Sequence, residues 1–223
     1  MASWMVHLRI ADKLLDQIPG LSPTEFIVGN IAPDSGVPNE EWSAFFPPTT
    51  ISHFKTNSSK ADPDAFAAKY WTEEKRNGYG KKEFSFFLGY LSHLLTDVAW
   101  VEKIYHPTKV RFAALRAADP ENFIWKVKED WYDLDFKYLR DHPCFRAFQI
   151  YEDAAGFPNE YMEEFSRDAF DNRRAYITGW YLEGKENLDR EYPYLAEKEM
   201  DTFVEEAARS IFDILHPKYG LKL

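Results

Sequence analysis

Cysteine is almost missing: Cys144 is the single one in 223 residues, so no intramolecular disulfide can form. That usage suits a reducing compartment, and a lone thiol among apolar neighbours reads as a small buried hydrophobe, not an activated nucleophile. A glycine-rich phosphate loop, a CxxC pair and an HExxH zinc motif are also missing, which removes the nucleotide-cradling, redox and metalloprotease readings that rest on them. Basic charge is scarce, with 27 Lys and Arg against 37 Asp and Glu and a formal charge of −10. The average field of such a chain repels nucleic-acid duplexes and anionic membranes. No run of about 18 uncharged apolar residues occurs, so no membrane span is expected. The first fifteen residues carry His7, Arg9, Asp12 and Lys13, which interrupt the core a signal peptide needs. The expectation is a cytoplasmic chain with no duplex partner and no stable membrane insertion. A small phosphate ester stays within reach, because a bound divalent cation reverses the local sign of the field.

What is present is enough for one sizeable domain over residues 1–223, with 45% hydrophobic residues and an aromatic share of 17% that excludes disorder. Helical periodicity recurs and alternating strands do not, so the class is all-α. A first helix runs from about Ser3 to Ile18, with Met5, Leu8, Ala11, Leu15 and Ile18 near one face and Pro19-Gly20 as its stop. Ser22-Pro23-Thr24-Glu25 reads as a capping box with proline at the first helical position. The helix it opens ends near Asn30, ahead of Pro33, leaving Asp34 just beyond a helix end. Residues 35–61 form a long irregular connection, and Asp62-Pro63 opens a helix to about Asn77, closed by Gly78 and Gly80. The segment from about Lys82 to Tyr105 is the most apolar helix and is expected at the centre. Asp119-Pro120-Glu121 starts another, and Pro143, Pro158 and Pro193 divide the remainder into three or four more.

On the central helix His93 and Asp97 stand four residues apart and share a face, with Gly89 one turn earlier on the same stripe. A glycine there admits a second backbone or a ligand. Taken alone, the pair reads as a core histidine hydrogen-bonded to its own aspartate. Three more polar residues stand in apolar or turn-forming surroundings: His7, Asp34 after Gly29-Asn30-Ile31-Ala32-Pro33, and His53 in Ser52-His53-Phe54. Ionised carboxylates are not buried without partners. Three imidazoles and two carboxylates make a borderline donor set that suits zinc and accepts manganese, iron or nickel.

In Trp4-Met5-Val6-His7, the stretch from Gly29 to Asp34, Ser52-His53-Phe54 and the stretch from Gly89 to Asp97, the sequence resembles the zinc-dependent phospholipase C family in its cytoplasmic bacterial branch. More remotely it is similar to the P1-type nucleases. The resemblance covers roughly residues 1 to 105. It implies a multi-helix bundle, a metal cluster at the bottom of a cleft, and cleavage of phosphoric esters by metal-activated water. Carried over by position, Asp34, His53, His93 and Asp97 correspond to one metal site, with Asp97 bridging to a second that includes His7. Secreted members complete that second site with an N-terminal tryptophan amine; Trp4 stands at the similar place but Met1, Ala2 and Ser3 precede it. A histidine expected six residues after Asp97 is replaced by Lys103, and the later His-Glu pair by His142 and Arg146. One or two zinc ions are therefore expected instead of three, with Asp34 doubling as acceptor of the water proton. The substrate expected from the resemblance is a small phosphate ester or a phospholipid, and the activity that of a phosphodiesterase.

His106, His142 and His216 each precede proline and read as helix-end residues that hydrogen-bond terminal carbonyls. Arg9 reads as a surface ion-pair residue. Trp42, Phe45 and Phe46 read as satellite core under the long connection, or else as an apolar wall for a lipid or nucleoside. The run Glu129, Asp130, Asp133 and Asp135 reads as a solvated helix face. Two rival readings are weighed: an HD-type phosphohydrolase, disfavoured because no His-Asp dipeptide occurs, and a non-catalytic metal- or ligand-binding protein that keeps the fold, which Lys103 favours.

Overall fold

The central helix sets the architecture, and the computed structural model describes residues 1–41, 43–55 and 60–222 around it. Helices α1 (Trp4–Gln17), α2 (Pro23–Ile31), α3 (Thr49–Ser52), α4 (Pro63–Tyr70), α5 (Glu73–Gly78) and α6 (Lys81–Trp100) form the first half. The second half comprises α7 (His106–Arg111), α8 (Ala113–Ala118), α9 (Phe123–Asp141), α10 (Arg146–Asp153), α11 (Ala169–Leu182) and α12 (Glu197–Leu215). A two-residue antiparallel ribbon, β1 (Val37–Pro38) with β2 (Phe45–Phe46), lies inside the irregular connection. The fold is all-α, as the periodicity requires.

Helix α6 is buried continuously from Ser85 to Asp97 and packs against α1, α2, α4 and α12. Its serine and threonine hydroxyls turn back on the helix: Ser85, Ser92 and Thr96 donate to the carbonyls of Lys81, Leu88 and Ser92. The continuous helical stretch Lys81–Arg111 has the length and mean hydropathy of a membrane-crossing segment, yet 78% of its most apolar window is buried inside the protein. Its apolar surface serves the core.

The tightest crossing is between α2 and α6. A Cβ on Gly29 would lie 2.2 Å from the Phe86 carbonyl oxygen, and one on Gly89 would lie 2.2 Å from the Phe26 carbonyl oxygen. The two glycines let the backbones touch, so the space expected beside Gly89 is filled by a neighbouring helix. We expect Gly89→Ala to destabilise the protein by about 2–3 kcal/mol, since neither backbone can yield cheaply. Gly179 in α11 meets nothing within 4 Å, and Gly179→Ala is expected to stabilise by about 0.5–1 kcal/mol. Urea unfolding of both variants checks the pair.

Several local expectations change. The Ser22 hydroxyl hydrogen-bonds the Glu25 carboxylate, which also pairs with Lys82, so no capping box closes on the backbone. The expected helix over residues 62–77 is two helices: Trp71 turns inward, its indole donating to the Tyr219 carbonyl, and Thr72 caps α5 through the Lys75 N–H. The central helix does not run on regularly to Tyr105 but widens into a π-helical segment over Val101–Tyr105. The α-helical part of the expected helix at Asp119 begins only at Phe123. Arg9 is buried, not superficial, and pairs with Asp201 at 2.6 Å. Cys144 is exposed.

Candidate metal centre

Four separate elements converge on one buried point. Helix α1 contributes His7, the 3₁₀ turn Ala32–Asp34 contributes Asp34, the residue after α3 is His53, and α6 carries His93 and Asp97. Their donor atoms form two overlapping groups able to hold a metal ion, His7 with His93 and Asp97, and Asp34 with His53 and His93, each within 4.8 Å. Asp97 is the hub. Its oxygens lie 3.5 Å from His7 Nε2, 3.4 Å from His53 Nε2 and 3.7 Å from His93 Nε2. The backbone N–H of Ala2 donates to Asp97 Oδ1 at 2.9 Å.

Neighbours outside the cluster orient each ring. His93 Nδ1 lies 2.7 Å from the Asn30 carbonyl oxygen, which can only accept, so this nitrogen carries the proton and Nε2 is left as a donor for a cation. The Gly29–Gly89 crossing brings that carbonyl into reach. His53 Nδ1 meets the Ser52 hydroxyl at 2.9 Å, and Tyr90 donates to the Ser52 carbonyl. Phe54 follows in a left-handed conformation, φ 53°, held by edge-on packing against Phe66 and Tyr90. Trp4 donates its indole N–H to Asp34 Oδ2 at 2.9 Å, a contact the sequence does not announce.

Charge is concentrated here and shielded from solvent. Burial opposes a cation at His53, but the carboxylates of Asp34 and Asp97 outweigh it and push its pKa up to about 9. Burial and the stacked His7 ring, 3.8 Å away and nearly parallel, push His93 down to about 3. Burial would raise both carboxyls, yet the imidazoles close around them hold Asp34 and Asp97 well below the usual range. Both nitrogens of His7 and Asp97 Oδ2 are buried without any hydrogen-bond partner. Buried polar atoms are rarely left so; His7 Nε2 lies 3.5 Å from Asp97 Oδ1, and one donor atom each of His7, His93 and Asp97 lie within 4.8 Å of one another, a spacing that a shared divalent cation accepts. The residues therefore fit a zinc-type ion.

Asp34, whose side chain is 10% exposed, links the cluster to a cavity of about 540 Å³. Aromatic residues dominate its walls, including Trp4, Trp125, Tyr132, Tyr176 and Trp180, and Phe45 lines it from β2. Phe46 is 69% exposed and joins no satellite core, which corrects that expectation; Trp42 lies outside the described residues.

Other candidates stay away from the cluster. Lys103 is exposed in the π-helical segment and bonds Glu206 of α12 at 3.1 Å. His106 and His216 are exposed, and His142 bonds the Tyr138 carbonyl at a helix end, as its position predicts. The acidic run on α9 is not solvated, Glu129 excepted. Asp130 and Asp133 are buried against Arg190, with Lys185 also on Asp133, and Asp135 is clasped by the Ser3 and Tyr181 hydroxyls. None of them supplies a donor to the cluster.

Asp135 anchors the segment that delivers Ala2 and His7, since Tyr181 also receives the Met5 N–H. Burial pushes its pKa up to about 7 against the lowering effect of both hydroxyls and Arg9. The folded state therefore binds more protons than the unfolded chain between about pH 4 and 7, and this group's contribution is fully present below that window and lost as pH rises through it. We expect thermal stability relative to Asp135→Asn to fall from pH 5 to 8, by up to about 1.4 kcal/mol per unit within the window. Melting curves of the two proteins side by side measure it.

No curated protein and no solved structure matches the chain. A sequence model of the family described as zinc dependent phospholipase C matches residues 6–180, spanning every member of the cluster and reaching through α9 and α10 into α11. With that match over most of its length, and with its all-helical fold, the chain belongs to the zinc-dependent phospholipase C family.

Proposed function

We propose that the chain, acting as one domain over residues 1–223, is a metal-dependent hydrolase of phosphoric esters, a phosphodiesterase of phospholipase C type. The observation that carries the reading is a pair of buried donors without a hydrogen-bond partner among the described residues, His7 Nε2 and Asp97 Oδ2, beside a cleft. Those atoms carry a desolvation cost that coordination removes. His7, His53 and His93 would supply nitrogen and Asp34 and Asp97 oxygen, a set for one or two zinc ions that manganese, iron or nickel also fits. Such an ion, when bound, supplies positive charge to a phosphoryl oxygen and acidifies water.

The chain's own residues do the rest. Asp34 is the cluster carboxylate that opens to the cleft, and the Trp4 indole fixes one of its oxygens. Its position at the mouth of the cleft lets the ionised carboxylate accept the proton of the water that attacks phosphorus. Trp4, Tyr132 and Trp180 form an apolar wall that receives the non-reacting part of a phospholipid or smaller ester and excludes bulk water. Protein freed of metal and then supplied with zinc or manganese should hydrolyse bis(p-nitrophenyl) phosphate, and a chelator should abolish that. Inactivity of the metal-loaded protein on phospholipids, nucleotides and generic esters alike would favour the non-catalytic reading.

A further inference from the structure

The chain is acidic, but the cleft is not. Asp34 is the single carboxylate among the described residues of its lining, and it belongs to the metal centre. Two cations face the same space, Lys128 from α9 and Arg173 from α11. Neither has a carboxylate within ion-pair distance among the described residues. By contrast, Lys137 and Arg140 on α9 and Lys185 and Arg190 beyond α11 are each paired with an acid.

Arg173 is 6% exposed, and among the described residues its guanidinium donates one hydrogen bond, to the Gly36 carbonyl at 2.6 Å. Five N–H donors are available on that group, and a buried cation so sparsely satisfied is costly unless an anion completes its shell. Its Cζ stands 5.5 Å from the Tyr176 ring and 5.9 Å from the Trp4 ring. Lys128 Nζ stands 5.1 Å from the Trp125 ring and 5.9 Å from the Tyr132 ring. Burial pushes its pKa below the ordinary lysine value while the Asp34 carboxylate opposes this, which ties the ammonium electrostatically to the metal centre. The aromatic faces that would otherwise hold a quaternary ammonium are thus already near fixed cations, and a cationic headgroup would be repelled.

We infer that this cleft selects phosphoric esters whose second alcohol carries a further anionic group, and that Lys128 and Arg173 are the specificity-determining residues that receive it. The inference rests on the hydrolase reading for its kinetic test but not for its binding test. The shared chemistry is a phosphorylated alcohol, whether on a lipid or on a soluble ester.

Three p-nitrophenyl phosphodiesters that differ only in the second alcohol, 3-phosphopropanol, propanol and choline, separate the alternatives with zinc-loaded protein. We expect kcat/KM to rank them in that order, with the first exceeding the last by roughly 100-fold, about ten-fold for each cation met. Lys128→Gln should shrink the ratio of the first to the second by roughly ten-fold, through KM and not kcat, and Arg173→Lys should shrink it less because charge is kept. Equal rates, or preference for the choline ester, overturn the inference. The same p-nitrophenyl pair on long-chain lipid alcohols then tells a lipid headgroup from a soluble ester. If none of the three is hydrolysed, the broader substrate panel decides the hydrolase reading and binding decides this one. Under chelator, propane-1,3-diyl bisphosphate should quench tryptophan fluorescence saturably, with affinity roughly ten-fold weaker in Lys128→Gln; no saturable change overturns the inference.

Discussion

Asp97→Asn should leave the purified protein without firmly held metal, as read by elemental analysis after desalting. Asp97 is the residue around which the cluster is arranged, within 3.7 Å of all three imidazoles and in contact with the Ala2 N–H. The amide keeps the shape but removes a negative charge from a site whose other donors are three imidazoles and one carboxylate. It also presents an N–H₂ to groups that need an acceptor. Changes one shell further out cost metal sites about 10–100-fold in affinity, and loss of this residue should exceed that. His93→Ala should do the same by a different route, since α6 is rigid and nothing else on it can fill the place of the imidazole. Wild-type zinc content in both variants would remove these residues from the proposed centre.

The second large effect is expected at Asp34. Asp34→Asn should lower turnover of a phosphodiester by about 10²–10⁴-fold, the range of a lost general base, while metal content falls less. The reason is positional: the carboxylate lies where cluster and cleft meet, held by the Trp4 indole, whereas Asp97 is buried beneath. An amide oxygen can still coordinate weakly but cannot take a proton. Rate and metal content must be measured on the same preparations. Parallel loss of both would reduce Asp34 to a ligand, and unchanged turnover would exclude it from the chemistry.

The pair on α6 was the easiest part of the centre to read, because a four-residue spacing on a helix is a local fact that no tertiary contact alters. Gly89 was legible as a place of close approach, though what approaches, the backbone of α2 at Phe26, is a long-range fact. The acidic run on α9 misled because carboxylates usually face water. Here Arg190, some sixty residues away, neutralises Asp130 and Asp133, and two hydroxyls clasp Asp135. The position of Lys103 after Asp97 suggested a replaced ligand, but its side chain reaches Glu206 of α12 on the outer surface, a partner more than a hundred residues away.

By itself the amino-acid sequence determined the helical class, most helix starts, the central place of α6 and the five polar residues that stand out from apolar surroundings. These depend on periodicity, proline and glycine placement and the cost of isolated charge, all of which act over a few residues. Only the tertiary structure decided that four elements deliver those residues to one point, that the Asn30 carbonyl and the Trp4 indole orient His93 and Asp34, and that Lys128 and Arg173 face the adjoining cleft. Each of those is a contact between segments distant in sequence, set by how side chains fill space between helices. Spacing along the chain carries no record of that packing.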